Sequence, residues 1–172
     1  LLKDKYKVAT LSRGYKRRTK GFRTAQAEDT ALHLGDEPMQ MQRKFGDAVR
    51  VTVGEDRVFA IPNILQEFPD TDVVIMDDAF QHRAVNPQLT VLVTDFAHPF
   101  YKDHVMPFGR LREARRGAQR ADIIVVTKCP GDLSEQSQEE FLQGVAKYAP
   151  GKPVLFSTVS YDEPRALGAA TT

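Results

Sequence analysis

An apolar run that ends in two adjacent carboxylates, Val73-Val74-Ile75-Met76-Asp77-Asp78, continues directly into Ala79-Phe80-Gln81-His82-Arg83. Paired carboxylates leaving the end of a strand offer the hard oxygen donors that Mg²⁺ prefers. The ion keeps several of its waters, so one or two such groups are enough to hold it. Neighbouring carboxylates repel each other, and ionising both is costly unless a cation lies close. A single strand-end Asp is also an ordinary turn cap. The pair here is followed at once by Gln81, which can orient a water or a phosphate oxygen, and by His82, which can donate to a phosphate or carry a proton.

Three further segments carry chemistry-bearing side chains. Ser12-Arg13-Gly14-Tyr15 joins a guanidinium, whose planar fork matches phosphate, to a glycine that lets backbone approach a ligand. Taken alone, this tetrapeptide is an ordinary strand-to-loop turn. Gly35-Asp36-Glu37-Pro38 sets two carboxylates at a helix start, where the helix dipole already favours negative charge and capping accounts for them. Pro107-Phe108-Gly109-Arg110-Leu111-Arg112-Glu113 joins a turn to a basic segment in which Arg112 could clamp a phosphate and Glu113 could join a metal shell. His33, His98 and His104 have no metal-ligand spacing and read as surface or packing residues.

These segments need a scaffold that delivers them to one place. Four short β-branched runs, Lys7–Leu11, Asp72–Met76, Thr90–Thr94 and Asp122–Thr127, and a weaker fifth, Pro153–Thr158, fit strands covered on both faces, as in a parallel sheet. Several end in polar residues, and in open parallel sheets ligands sit at the carboxyl ends of the strands. Asp36-Glu37-Pro38 predicts a helix start with Pro in its first turn. Ser134 opens a second helix, in which Phe141, Leu142, Val145 and Tyr148 recur at helical spacing. Val49, Val51 and Val53 alternate as in a strand, and Arg57–Phe68 reads as helix with Pro62 early in it. The small residues from Leu167 to Thr172 are expected to fray. The sum is an α/β three-layer sandwich with a mostly parallel sheet, a single partial domain over residues 1–172.

Composition narrows the classes. The chain has 24 basic and 23 acidic residues, so no global field draws nucleic acid. Charge is uneven, however: Lys3 to Arg23 holds nine Lys or Arg against Asp4, and Arg110 to Arg120 holds five Arg against Glu113. Either stretch, Lys16-Arg17-Arg18-Thr19-Lys20 in particular, could meet phosphates or an anionic membrane surface. The one cysteine, Cys129, excludes an internal disulfide and reads as a small buried residue. No apolar run reaches the roughly 18 residues of a spanning helix. The start, Leu-Leu-Lys-Asp, lacks Met and is expected of a segment internal to a longer protein.

In order, the pieces LSRGYKRRTKGF, GDEP, DDAFQHR, FGRLREA and DIIVVTKC resemble the tetraacyldisaccharide 4'-kinase (lipid A 4'-kinase) family from about Leu11 to about Pro130. The order is far more specific than any single piece. The resemblance implies a P-loop nucleoside-triphosphatase fold. It implies transfer of the γ-phosphoryl of ATP, with Mg²⁺, to the 4'-hydroxyl of the lipid A precursor tetraacyldisaccharide 1-phosphate. It also places the work at the cytoplasmic face of a bacterial inner membrane, with no nucleic acid involved. Carried over residue by residue, Asp77 and Glu113 fall in the metal shell, and Asp36, Asp78 and His82 in the catalytic set. Ser12, Arg13, Gln81 and Arg112 fall on phosphates or substrate. The chain lacks the Gly-Lys-Thr loop and the later histidine-rich segment of that family, which predicts little activity for this chain alone. Ala79 stands where the family commonly has glycine, a change that would strain the backbone only if φ there were positive. The competing reading is a regulatory or metallochaperone-type nucleotide-binding domain without lipid substrate, for which Thr127-Lys128 and Asp132 are the relevant residues.

Overall fold

The computed structural model describes residues 1–161 and 163; the small-residue tail from Leu167 lies outside the described residues. The chain divides into two compact units, Leu1–Asn86 and Pro87–Thr172. Both are mixed α/β with parallel pairing between their main strands.

The first unit holds a sheet of order β2-β3-β1-β4, with β1 at Val8–Ser12, β2 at Arg23–Thr24, β3 at Arg50–Val53 and β4 at Val73–Met76. Strand β1 pairs parallel with both β3 and β4, and only the two-residue β2 runs antiparallel. Alternation along β1 sends its side chains to opposite faces. Ala9 and Leu11 pack against Ala60 and Ile64 of the helix α3, Arg57–Glu67. Val8, with Val51 of β3, packs against Met41 and Phe45 of the helix α2, Asp36–Phe45. Two helices on two faces make this unit three layers thick. Every residue of β1 is buried, as its continuous apolarity required.

Local signals explain the helices. Asp56 caps α3 by accepting from the Phe59 N–H at 3.1 Å, and Pro62 lies within the helix. A short helix, α1 (Ala31–Leu34), precedes α2; it was not legible in the sequence because four residues carry too little periodicity. Buried Asp29 ties β2 to the start of α1. It accepts from Arg23 Nε at 3.2 Å and from the Gln26 N–H at 2.9 Å.

The second unit holds a parallel sheet of order β5-β6-β7, at Val91–Asp95, Ile123–Thr127 and Val154–Phe156. The helix α4, Glu135–Ala146, is capped by Ser134, whose hydroxyl accepts from the Ser137 N–H at 3.2 Å. From α4, Phe141 meets the ring of Phe156 edge-on at 5.8 Å between centroids and stacks on Phe96 at 5.7 Å. Cys129 is buried, as expected. The opposite face departs from the expectation of strands covered on both sides. Val91, Val93 and Leu155 fall on one face by register and remain exposed. No helix among the described residues is long and apolar enough to cross a membrane.

Burial pushes the Asp29 carboxyl up, but the Arg23 guanidinium and the Gln26 N–H outweigh it and leave the group below the usual carboxylate range. A depressed folded pKa contributes stability above the unfolded value of about 3.9, and that contribution is lost as pH falls through the folded value. Asp29→Asn is expected to lower stability at pH 7 by about 1–2 kcal/mol, since Arg23 is partly solvated. The variant should also lose less of its stability between pH 4 and pH 2 than the parent chain. Urea titrations across that range check this, and equal pH slopes would contradict it.

Candidate active site

Three parallel strands of the first unit end side by side. The register pairs Leu11 with Met76 and Ser12 with Val53, so the residues that follow β1, β3 and β4 leave the sheet in a row. The ladder extends one step further on each side. The Asp77 N–H donates to Leu11 O at 3.1 Å, and the Gly54 N–H donates to Ser12 O at 2.9 Å. Arg13 and Asp77 are thereby held at neighbouring strand ends by backbone geometry.

The start of α2 closes against this row. Gly35 takes φ +93°, and a Cβ there would lie 3.0 Å from Tyr15 O and 3.2 Å from the Gly14 backbone. Only glycine allows both the conformation and the approach. The glycine of Gly35-Asp36-Glu37-Pro38 therefore lets the acidic helix start press on the Ser12–Tyr15 loop. The result is a cavity of about 130 Å³ lined by Ser12, Arg13, Gly14, Tyr15, Asp36, Glu37, Pro38, Asp77 and Asp78. Three segments that are separate in sequence share this wall. Capping alone would explain Asp36 and Glu37 at a helix start, but it does not explain their meeting Asp77 and Asp78.

Asp78 adopts φ +48°, in the left-handed region, whereas Ala79 does not take positive φ. The strained position is therefore the second carboxylate itself, and the alanine is accommodated without strain. Asp is among the few non-glycine residues that visit this region, and such conformations cluster at functional sites.

One buried charge that interacts with the carboxylate pair was missed in the sequence. Arg57, the first residue of α3, is 4% exposed. A guanidinium N–H of Arg57 donates to Gly54 O, and its buried Nε has no hydrogen-bond partner among the described residues. Burial and the neighbouring Arg13 pull its pKa down, while Asp77, Asp78 and Glu55 act in the opposite direction. An arginine keeps its proton under these conditions, so a fixed positive charge acts on the carboxylate pair. A signal did exist: a cation in the first helical turn opposes the helix dipole and calls for another reason.

The remaining expected residues lie outside the lining of this cavity. Gln81 and His82 occupy the turns after Asp78, with the His82 N–H donating to Ala79 O at 2.8 Å. The buried His82 Nε2 has no hydrogen-bond partner among the described residues. Arg112 and Glu113 belong to the second unit. There Glu113 accepts the Arg120 fork at 3.0 and 2.7 Å, so a metal role requires it to share or leave that pair. The basic run 16–20 is only partly available, because Arg17 is turned inward. Arg17 donates to Glu55 at 2.6 Å and to Gly21 O at 2.5 Å, leaving Lys16, Arg18 and Lys20 exposed. Lys128 is held by Asp95 at 2.8 Å.

The donor set of the cavity suits a hard divalent cation with retained waters. Asp77 and Asp78 carry carboxylate oxygens, and the buried Ser12 Oγ has no hydrogen-bond partner among the described residues. No cluster of three or more His, Cys, Asp or Glu with metal-holding geometry occurs among the described residues.

A parallel α/β unit with acidic and guanidinium groups at the carboxyl ends of its strands defines the class as an α/β protein with its polar groups where such sheets bind ligands. Comparison with known proteins gives the family. The family model for tetraacyldisaccharide-1-P 4'-kinase matches residues 1–168, and the chain belongs to that family. The tetraacyldisaccharide 4'-kinase of Cytophaga hutchinsonii is 46% identical over 161 residues, covering 94% of this chain and 45% of that protein. The same enzyme of Bacteroides fragilis is 45% identical over 168 residues, covering 97% and 44%. The crystal structure of LpxK from Aquifex aeolicus in complex with ATP shares the fold. It has a TM-score of 0.69 at 30% identity, covering 90% of this chain and 45% of that one. The chain thus spans just under half the length of these relatives.

The left-handed backbone at Asp78 separates stability from function. Asp78→Gly is expected to hold or raise the thermal midpoint while weakening Mg²⁺ binding. Asp78→Val is expected to cost about 1–2 kcal/mol, because β-branched residues tolerate positive φ poorly. Thermal unfolding with parallel Mg²⁺ calorimetry reads both. A glycine variant that unfolds earlier than the valine variant would contradict this account.

Proposed function

We propose that residues 1–172 form part of a nucleotide-binding kinase domain. The enzyme containing it transfers the γ-phosphoryl group of ATP to the 4'-hydroxyl of tetraacyldisaccharide 1-phosphate, a lipid A precursor. The observation that carries this reading is the meeting of Ser12-Arg13, Asp36-Glu37 and Asp77-Asp78 on one cavity wall. Family membership and the ATP complex of the Aquifex aeolicus neighbour support it.

Each group has a task in an in-line transfer. Asp36 accepts the proton of the 4'-hydroxyl as its oxygen bonds to the γ-phosphorus, and the bond to ADP breaks on the opposite side. Mg²⁺, when bound, neutralises the triphosphate charge, and Asp77 with Asp78 would hold it. Glu113, the further metal-shell candidate of the family motif, is paired with Arg120 within the second unit. Arg13 and Ser12 would orient phosphate oxygens, with Gln81, Arg112 and His82 as the further candidates of the family motif; His82 Nε2 has no hydrogen-bond partner among the described residues. Arg57 adds a fixed positive charge close enough to interact with both aspartates. Phosphoryl transfer depends mainly on positioning and electrostatics, so this chain without a Gly-Lys-Thr loop should turn over slowly if at all. ATP and the lipid precursor meet at the cytoplasmic face of the inner membrane, and the exposed Lys16, Arg18 and Lys20 favour an anionic surface there.

In the longer enzyme, Asp77→Asn and Asp36→Asn are each expected to lower kcat by about 10²-fold or more. Arg57→Met is expected to weaken Mg²⁺-ATP binding while the fold is retained. Steady-state assays with the diglucosamine lipid as acceptor read all three. Unchanged turnover in Asp77→Asn would overturn the metal role, and a strong preference for GTP would favour a regulatory nucleotide-binding domain instead.

A further inference from the structure

The segment that leads into Arg112-Glu113 has a feature the phosphate chemistry does not use. Four consecutive apolar residues, Val105-Met106-Pro107-Phe108, are all exposed, with Met106 at 60% and Phe108 at 90%. An exposed apolar run of this length works against solubility unless it has a function. It is not a slack loop. The Met106 N–H donates to Leu111 O at 3.0 Å, the Leu111 N–H to His104 O at 3.0 Å, and the Phe108 N–H to Val105 O at 3.1 Å.

The base of the turn is fixed as firmly. The Asp103 carboxylate accepts the N–H groups of His104 at 2.8 Å and Arg110 at 3.2 Å. A Cβ on Gly109 would collide with that carboxylate and with His104 O. Arg115 reaches back to Asp103 O at 2.6 Å and donates to the Tyr148 hydroxyl at 3.0 Å. The fold thus presents a pre-ordered apolar tip, so little further ordering is needed when the tip is covered.

Charge indicates what covers it. Lys102 and Arg116 lie on either side of the tip in sequence and are exposed, and Arg110, paired with Asp103, is exposed as well. The two acids of the stretch, Asp103 and Glu113, are engaged by Arg110 and Arg120. An apolar tip inside a cationic collar suits an anionic bilayer surface: the ring enters the headgroup and acyl boundary, and the cations meet lipid phosphates. We propose that the turn from Asp103 to Leu111 is a membrane-inserting tip that seats this chain on anionic phospholipid, with Phe108 and Met106 as its apolar anchors. The inference rests on the proposed lipid kinase reading for its purpose. Its test, however, reads membrane association without nucleotide or acceptor, so either idea can fail alone.

The chain contains no tryptophan, so F108W places a single reporter at the tip. Vesicles of phosphatidylcholine containing about one-third phosphatidylglycerol should shift its emission to the blue, and brominated acyl chains should quench it. Vesicles of phosphatidylcholine alone should act weakly. The double variant M106S/F108S should lose at least about tenfold in vesicle partitioning, with its circular dichroism and thermal midpoint unchanged. The proposal is overturned if the indole emission does not respond to vesicles that sediment the protein, or if the double serine variant partitions as well as the parent chain. A blue shift that follows protein concentration without lipid also overturns it, since the tip would then be a contact between copies.

Discussion

Two hydrogen-bonded ladders, one on each side of β1, fix where every polar group of the first unit can go. Because β1 pairs in parallel with β3 and β4 and the register runs Leu11 to Met76 and Ser12 to Val53, their carboxyl ends must coincide. A slip of one residue would turn Ser12 from one face to the other and carry Asp77 away from Arg13. The buried alternation of β1, with Ala9 and Leu11 on α3 and Val8 on α2, makes such a slip costly. Packing therefore holds the register, and the register holds the site.

Electrostatics follow from that geometry. Four carboxylates, from Asp36, Glu37, Asp77 and Asp78, line one small cavity with Arg13. Buried Arg57 lies close enough to interact with Asp77 and Asp78. The left-handed backbone at Asp78 belongs to the same arrangement, since it follows the point where the ladder to β1 ends at Asp77.

Much of this was legible in the residues. Four of the five apolar runs form strands within one residue of their expected bounds, because dense β-branched sequence between polar punctuation leaves few alternatives. The helix starts at Asp36 and Ser134 were readable from capping chemistry. The meeting of Asp36 with Asp77 was reached only through family resemblance, since no local pattern reports which strand ends become neighbours. Arg57 escaped notice because a lone arginine in a charged turn looks solvated, and only its burial reveals otherwise. The expectation that all strands are covered on both faces fails at Val91, Val93 and Leu155, because apolarity signals a capacity for burial and does not supply a covering layer. Positive φ, the one condition under which Ala79 would be strained, occurs a residue earlier, at Asp78, a difference that depends on backbone torsion alone.

The central claim is that Ser12–Tyr15, Asp36–Glu37 and Asp77–Asp78 respond as one site. A Mg²⁺ titration followed by backbone amide chemical shifts addresses it most directly. All three segments should shift together along one saturable curve, with Asn substituted at Asp77 flattening the response throughout. Shifts confined to Asp77 and Asp78, or curves with different midpoints in the three segments, would contradict a shared cavity.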